Sequence, residues 1–342
     1  MDTSKLVPND SRVRELSAQV RGKTYTYLLG EARGEQPKDT IFLLHGFPDI
    51  PFGWRHQVPY LMSLGFRVVV PSLLGYAGTS RPDDLAAFSC KNMSEDLREL
   101  AAQVVGRDRQ IILGGHDWGG VLAWRTVLWC PELIKLVFSI CTPFHPPNPY
   151  WVELEDIIAA GHLTSLKYHL QFAGRDVESR LQTEEKIWQM LNGCFGGTGP
   201  NQEVAFTTAD GLLMDNLPIL GPSPLASVEE LDYSTRQFMR QPSPPLRGPL
   251  NWYRTRKINH DDELALVDAF DQVRIPALFI SASKDEALPP ALSAGMDDYF
   301  VNLTRGEVNS SHWAMLEAPA EVNKLIGDWL RKELRVAIKP SL

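Results

Sequence analysis

Short apolar runs rich in β-branched residues alternate with helix-forming segments, and this alternation constrains the fold more than any other feature of the chain. Runs of this kind begin at Ile41, Phe66, Ile111 and Leu133. Helical patterns such as SEDLRELAAQVV and WGGVLAWRTVLWC lie between the later runs, and two more apolar runs, IPALFIS and YFVNL, follow residue 270. Strands that alternate with helices form βαβ units with parallel pairing. The sequence therefore predicts an α/β fold with a mostly parallel sheet.

Three local signals predict where elements begin or lie. Ser94 is a suitable N-cap for the first of these helices, and Pro319 suits the first turn of the last helix. The stretch TYTYLL at residues 24–29 has the residue types of an edge strand.

The alternation stops at the proline-rich stretch TPFHPPNPYW, which has the composition of a linker. From there to about residue 260 the sequence shows helical stretches and no good strand. The glycine-rich stretch GCFGGTGP lacks the lysine of a phosphate-binding loop, so we expect only a connecting loop there. We predict a helical cap at residues 143–261, inserted between two core segments at residues 1–142 and 262–342.

An aspartate stands in a motif that usually carries a serine. Gly115 and Gly119 flank Asp117 with the G-x-S-x-G spacing of a nucleophile elbow, which exposes the central side chain at the top of the sheet. A carboxylate is already ionised at neutral pH and attacks sp³ carbon, which gives an alkyl ester of the enzyme. Asp117 is therefore the predicted nucleophile.

The partners of such a nucleophile follow in the expected chain order of acid and then histidine. Asp285 lies just past an apolar run, with Glu286 as its alternative, and His312 lies in a loop before the last helix. A histidine held by a carboxylate can deprotonate the water that hydrolyses the ester. The backbone N–H groups of Phe47 and Trp118 are the predicted oxyanion hole.

The leaving group decides which reaction such a site performs. An epoxide oxygen leaves as an alkoxide and needs an acid, and a tyrosine is neutral at pH 7 with a pKa of about 10. The predicted cap contains four candidates, Tyr150, Tyr168, Tyr233 and Tyr253.

Six motifs resemble those of the soluble epoxide hydrolases of the α/β-hydrolase superfamily, in the same order. They are HGFPD, GHDWGG, SLKYHLQF, RGPLNWYR, SASKD and SSHWAMLEAP, and the resemblance runs from about residue 41 to 330. It implies an α/β-hydrolase core with a helical cap, and hydrolysis of epoxides to vicinal diols through an aspartyl ester without a cofactor. The length suggests the microbial single-domain type, which lacks the phosphatase domain of the mammalian enzymes.

The resemblance also implies roles for individual residues. Tyr253 in RGPLNWYR matches one of the paired phenols that hold the epoxide oxygen, and Tyr168 in SLKYHLQF matches the other. Pro48 is expected to follow a cis peptide bond and to bind substrate together with Trp118 and Trp313.

Two departures from the family pattern lie in a loop near the site. Ser72 and Ala77 stand where the family more often has aspartate and glycine, and this affects the expected substrate fit rather than the chemistry.

Three other functions fit parts of the sequence. A haloalkane dehalogenase could use Trp118 as a halide donor, although the paired cap tyrosines favour an epoxide. A fluoroacetate dehalogenase would be expected to carry arginines where Trp118 and Val121 stand. A non-catalytic receptor on the same fold would not need an intact nucleophile, acid and base.

Composition limits partners and location. The net charge of −8 opposes a nucleic-acid partner, and no apolar run reaches the length of about 18 residues that a membrane helix needs. The four cysteines form no CxxC pair, so we expect reduced thiols and no metal site. With no apolar segment at the N-terminus, we expect a cytoplasmic protein, although the terminal Pro-Ser-Leu loosely resembles a peroxisomal signal. The expected partner is a small-molecule epoxide, and the chain a monomer or homodimer.

Overall fold

A computed structural model describes residues 2–32 and 37–336 and contains one large sheet with helices around it. The elements before the predicted cap are β1 (Val13–Val20), β2 (Lys23–Gly30), β3 (Thr40–Leu44), α1 (Gln57–Ser63), β4 (Arg67–Pro71), α2 (Cys90–Val105), β5 (Ile111–His116), α3 (Trp118–Trp129) and β6 (Ile134–Ile140). The next helices are α4 (Leu154–Ala159), α5 (Tyr168–Ala173), α6 (Asp176–Arg180) and α7 (Glu184–Cys194). A short hairpin of β7 (Phe206–Thr207) and β8 (Gly211–Leu212) precedes α8 (Val228–Phe238), α9 (Arg247–Asn251) and α10 (Arg256–Glu263). The chain then forms β9 (Ala277–Ala282), β10 (Leu303–Val308), α11 (Ala314–Glu317) and α12 (Pro319–Val336).

The large sheet has eight strands in the order β1-β2-β4-β3-β5-β6-β9-β10. The six strands from β4 to β10 in this order pair in parallel, and their central members are buried on both faces. The prediction of an α/β fold with a mostly parallel sheet is therefore confirmed.

The hairpin β1–β2 is antiparallel and corrects the expected edge strand. TYTYLL belongs to β2, which pairs with β1 on one side and β4 on the other, so the edge of the sheet is β1. The burial of β1 alternates from Glu15 to Val20, a period-two pattern that could have identified this strand.

The N-cap predicted at Ser94 is wrong, whereas α12 begins at Pro319 as predicted. The N-cap lies five residues earlier, at Ser89, whose side chain accepts a hydrogen bond from the backbone N–H of Asn92. Ser94 is buried within α2, where its hydroxyl lies 3.0 Å from that of Thr126 on α3. Both serines have a hydroxyl that can cap a helix, and tertiary packing decides which of them is the N-cap of α2.

The segment between β6 and β9 contributes no strand to the large sheet. It contains α4 to α10 and the hairpin β7–β8, which the sequence analysis missed because two-residue strands carry no periodic signal. The boundaries at residues 143 and 261 stay a prediction.

Two contacts attach this helical segment above the carboxyl ends of the parallel strands. The Trp252 indole donates a hydrogen bond to the Leu74 carbonyl at 3.0 Å. Beside it, the backbone of Gly248 in α9 packs directly against the backbone of Gly75. A Cβ on Gly75 would lie only 2.6 Å from the Gly248 Cα. This close approach explains why glycine is needed at both positions.

No helix within the described ranges is both long and apolar enough to cross a membrane. The terminal Pro-Ser-Leu lies outside the described residues.

Candidate active site

Asp117 occupies a strained turn between β5 and α3. Its backbone φ of 52° and ψ of −125° lie in a region that non-glycine residues rarely adopt, which costs about 1–3 kcal/mol. The turn is possible because Gly119 lies against β3, where a Cβ would be 2.1 Å from the Leu44 carbonyl oxygen. The sharp turn exposes the carboxylate at the carboxyl end of the sheet, beneath the helical segment.

The two oxygens of the Asp117 carboxylate have different surroundings. The Phe47 backbone N–H donates to Oδ1 at 2.8 Å, and the Trp118 backbone N–H also helps to lower the pKa of the carboxylate. These are the two donors predicted for an oxyanion hole, and the Phe47–Pro48 peptide bond is cis. Burial raises the pKa of Asp117, while His312 and the two N–H groups oppose the rise. Oδ2 lies 3.7 Å from the His312 Nε2.

His312 and Asp285 form a buried pair beside this carboxylate. The His312 Nδ1 lies 2.8 Å from Oδ2 of Asp285, whose Oδ1 accepts hydrogen bonds from the backbone N–H groups of Ala287 and Leu288. Burial disfavours the imidazolium, but Asp285 and Asp117 outweigh burial and raise the pKa of His312 to about 9. Burial also opposes ionisation of Asp285, yet His312 lowers its pKa to about 2.

The alternative acid, Glu286, lines the neighbouring cavity. The carboxylate hydrogen-bonded to His312 is that of Asp285.

Two of the four cap tyrosines reach the same cavity as Asp117. Tyr168 begins α5 and Tyr253 lies in the turn after α9, with their ring centroids 6.2 Å apart. Burial raises the pKa of both phenols well above 10, so both are neutral O–H donors at pH 7. Tyr150 is instead 77% exposed, and Tyr233 packs on Phe52.

A buried arginine fixes the two tyrosine-bearing segments relative to each other. Arg254, next to Tyr253, donates from Nε to the Ala173 carbonyl at the end of α5 and pairs with the buried Glu178 at 3.1 Å. The spacing of the phenols therefore follows from contacts between α5, α6 and the turn after α9.

Two cavities meet at Asp117 and Tyr168. The larger, of about 600 Å³, is lined by Pro48, Phe172, Trp313 and both phenols. The smaller, of about 340 Å³, is lined by Trp118, Val121 and other mostly apolar side chains. Of the three expected substrate-binding residues, Pro48 and Trp313 therefore line the larger cavity and Trp118 the smaller one.

Comparison with known proteins identifies the family. A family model described as the alpha/beta hydrolase family matches residues 41–325. A curated epoxide hydrolase, srdG of Neurospora crassa, is 39% identical over 98% of this chain and 100% of its own length. The chain belongs to the alpha/beta hydrolase family. The resemblance found in the six motifs is confirmed, and it is a resemblance to the epoxide hydrolases of that family.

Other relatives of this alpha/beta hydrolase carry the same name. Bifunctional epoxide hydrolase 2 of Sus scrofa is 31% identical over 86% of this chain, which spans 52% of that protein. The crystal structure of epoxide hydrolase A from Mycobacterium thermoresistibile has a TM-score of 0.75 at 26% identity, covering 93% of this chain and 98% of that one. Potato epoxide hydrolase I has a TM-score of 0.74 at 25% identity, covering 94% and 99%.

Two features of this hydrolase were missed from the sequence. The stretch GCFGGTGP, expected to be only a loop, supplies Gly196, Gly197 and Thr198 to the wall of the larger cavity. Asp49, in the motif HGFPD, is a third buried carboxyl group near the site, and burial raises its pKa to about 6. Its Oδ2 has no hydrogen-bond partner within residues 2–32 and 37–336. Neither role had a signal in the sequence, because both depend on which segments pack together.

Proposed function

We propose that this hydrolase converts epoxides and water to vicinal diols through a covalent ester on Asp117. The observation that carries the proposal is the pair of neutral phenols, Tyr168 and Tyr253, lining the same cavity as Asp117. The names of its relatives support the same activity.

In the first step, Oδ2 of Asp117 attacks an epoxide carbon while Oδ1 stays hydrogen-bonded to Phe47. The carbon–oxygen bond breaks and its electron pair goes to the epoxide oxygen. Tyr168 and Tyr253 hydrogen-bond this oxygen, and one of them transfers its proton to it. A hydroxyalkyl ester of Asp117 results.

In the second step, ester formation itself prepares His312 to act as a base. The negative charge of Asp117, which helps to raise the pKa of His312, is lost in the ester. The pKa of the ring then falls, and the ring releases its proton to solvent. The neutral imidazole accepts a proton from water, and the hydroxide attacks the Asp117 carbonyl carbon. The negative charge develops on Oδ1, where the N–H groups of Phe47 and Trp118 can stabilise it. The intermediate collapses, and the ester oxygen takes the proton from His312 as it leaves, which releases the diol. The Asp117 carboxyl group then ionises, and exchange with solvent returns the protons of the phenol and of the His312 ring.

Replacing one tyrosine by phenylalanine tests whether its hydroxyl acts in epoxide opening or whether its ring only packs. Tyr253→Phe removes the O–H donor and keeps the ring, and we expect kcat/KM for racemic styrene oxide to fall by about 10²-fold. Tyr168→Phe should have an effect in the same direction. Diol formation is measured for both variants, and Tyr233→Phe, whose ring packs on Phe52, is the matched control.

Release of chloride from 1-chlorobutane is measured in parallel. Chloride without diol would replace the proposal by a haloalkane dehalogenase. Analogue binding with neither product, unaffected by Asp117→Asn, would favour a receptor.

A glycine beside the nucleophile offers a test of its placement. A Cβ on Gly46 would lie 2.1 Å from Oδ1 of Asp117, so Gly46→Ala must displace the carboxylate from the Phe47 N–H. Since a displacement of about 1 Å can lower a rate by about 10²-fold, we expect kcat to fall by that order. A wild-type kcat in a correctly folded Gly46→Ala protein, with folding checked by thermal unfolding, would contradict this geometry.

A further inference from the structure

Two histidines and a cysteine converge behind the nucleophile. His116 ends β5, Cys141 follows β6, and His312 lies in the loop before α11. One ring nitrogen of each histidine and the Cys141 Sγ all lie within 4.8 Å of one another. His116 Nε2 and Cys141 Sγ both lie against the His312 carbonyl oxygen, at 2.8 Å and 3.5 Å. The carboxyl ends of two neighbouring parallel strands thus hold the cluster together.

The donor atoms of this cluster suit a thiophilic divalent cation. Imidazole nitrogen and cysteine sulfur are the ligands that Zn²⁺ prefers, whereas Mg²⁺ and Ca²⁺ prefer oxygen. The His116 ring is fully buried at the end of β5. Nδ1 of this buried ring has no hydrogen-bond partner among the described residues.

The spacing needs only small movements to fit a zinc ion. Three atoms no more than 4.8 Å apart share a centre about 2.8 Å or less from each. Bonds of zinc to nitrogen and sulfur are about 2.0–2.3 Å long, so shifts of under about 1 Å would close the set. His312 also lines the larger cavity, which gives an ion a route to the cluster.

We propose that His116, Cys141 and His312 form an inhibitory site for Zn²⁺ and chemically similar cations. As the metal binds, the Cys141 thiol and the His312 imidazolium each lose a proton to solvent. The thiolate and one ring nitrogen of each histidine then donate a lone pair to the metal. Binding takes His312 away from its role as a base. Zinc inhibition of this kind would be reversible, because a chelator can remove the metal and the thiol then regains its proton.

The kinetic consequence rests on the proposed function. Attack by Asp117 does not need His312, whereas hydrolysis of the ester does. Zinc-loaded protein should therefore consume one equivalent of styrene oxide and stop as the Asp117 ester, which intact mass spectrometry detects. EDTA should then release the diol and restore turnover.

The site itself is tested without substrate. Metal-free protein is titrated with Co²⁺, a spectroscopic substitute for Zn²⁺ that gives a charge-transfer band when a thiolate binds it. We expect the band in wild-type protein and in Cys194→Ser, the matched control whose thiol lines the larger cavity. It should be absent in Cys141→Ser and in Cys141→Ala, with the fold of each checked by thermal unfolding.

Inhibition by Zn²⁺ is then compared with each variant's own metal-free rate, with Mg²⁺ as the control cation. Loss of a group that only hydrogen-bonds a metal ligand weakens metal binding by about 10–100-fold. Because Cys141 is itself a proposed ligand, Cys141→Ser should raise the inhibitory Zn²⁺ concentration by at least about tenfold. A missing cobalt–thiolate band, or a band lost in Cys194→Ser instead, would overturn the site. If the protein opened no epoxide, the cobalt titration would still decide the site, and only the proposed function would fail.

Discussion

Asp117→Ala should lower diol formation by at least about 10⁴-fold, because removing a catalytic nucleophile costs rates of this order or more. The residue is 8% exposed, and its Oδ1 accepts a hydrogen bond from the Phe47 N–H. Asp285 cannot take its place, since it is engaged with His312 and two backbone N–H groups. Steady-state diol formation from styrene oxide measures the loss.

The matched variant is Asp117→Asn, which keeps the shape of the side chain and removes its charge. Both variants should fail to form a covalent adduct with styrene oxide in intact mass spectra. Thermal unfolding should show no loss of stability in Asp117→Ala, because the buried carboxylate is itself costly to keep in this strained turn. Adduct formation in Asp117→Ala would place the nucleophile elsewhere.

His312→Gln should stop turnover after one covalent event. The glutamine cannot activate water as an imidazole does, and we expect kcat to fall by about 10⁴-fold or more. Attack by Asp117 remains possible, so one equivalent of ester should accumulate. Intact mass spectrometry after mixing with styrene oxide shows the adduct, and quenched-flow sampling gives its rate of formation.

The identity of the acid is decided by a pair of variants. Asp285→Asn removes the charge that holds His312, and it should slow ester hydrolysis more than ester formation. Glu286→Gln changes the neighbouring carboxylate and should leave the ratio of the rates of ester hydrolysis and ester formation close to that of the wild type. Equal effects of Asp285→Asn and Glu286→Gln would contradict the assignment of Asp285 as the partner of His312. Wild-type turnover in His312→Gln would show that another group activates the water.

Local chemistry explains the success at α12, and tertiary packing explains the error at α2. Pro319 suits a first helical turn in any context, and the helix begins there. Ser89 and Ser94 are equally good caps by residue type, and the packing of Ser94 on Thr126 decides between them. The strand β1 was missed although its alternation was present, and β7 and β8 were missed because they are too short to alternate.

Sequence by itself determined the elements whose chemistry is local to a few neighbouring residues. The glycine spacing around Asp117 predicted the strained turn, and the apolar runs predicted the parallel sheet, because backbone sterics and periodic burial act over short distances. The motif resemblance indicated Tyr253 and Tyr168, but only the tertiary structure gives the physical reason, since the contact between Arg254 and the end of α5 holds both phenols at the cavity of Asp117. It alone also brought Asp49, the glycine-rich loop and Cys141 to the site, because their proximity depends on chain segments that are far apart in sequence.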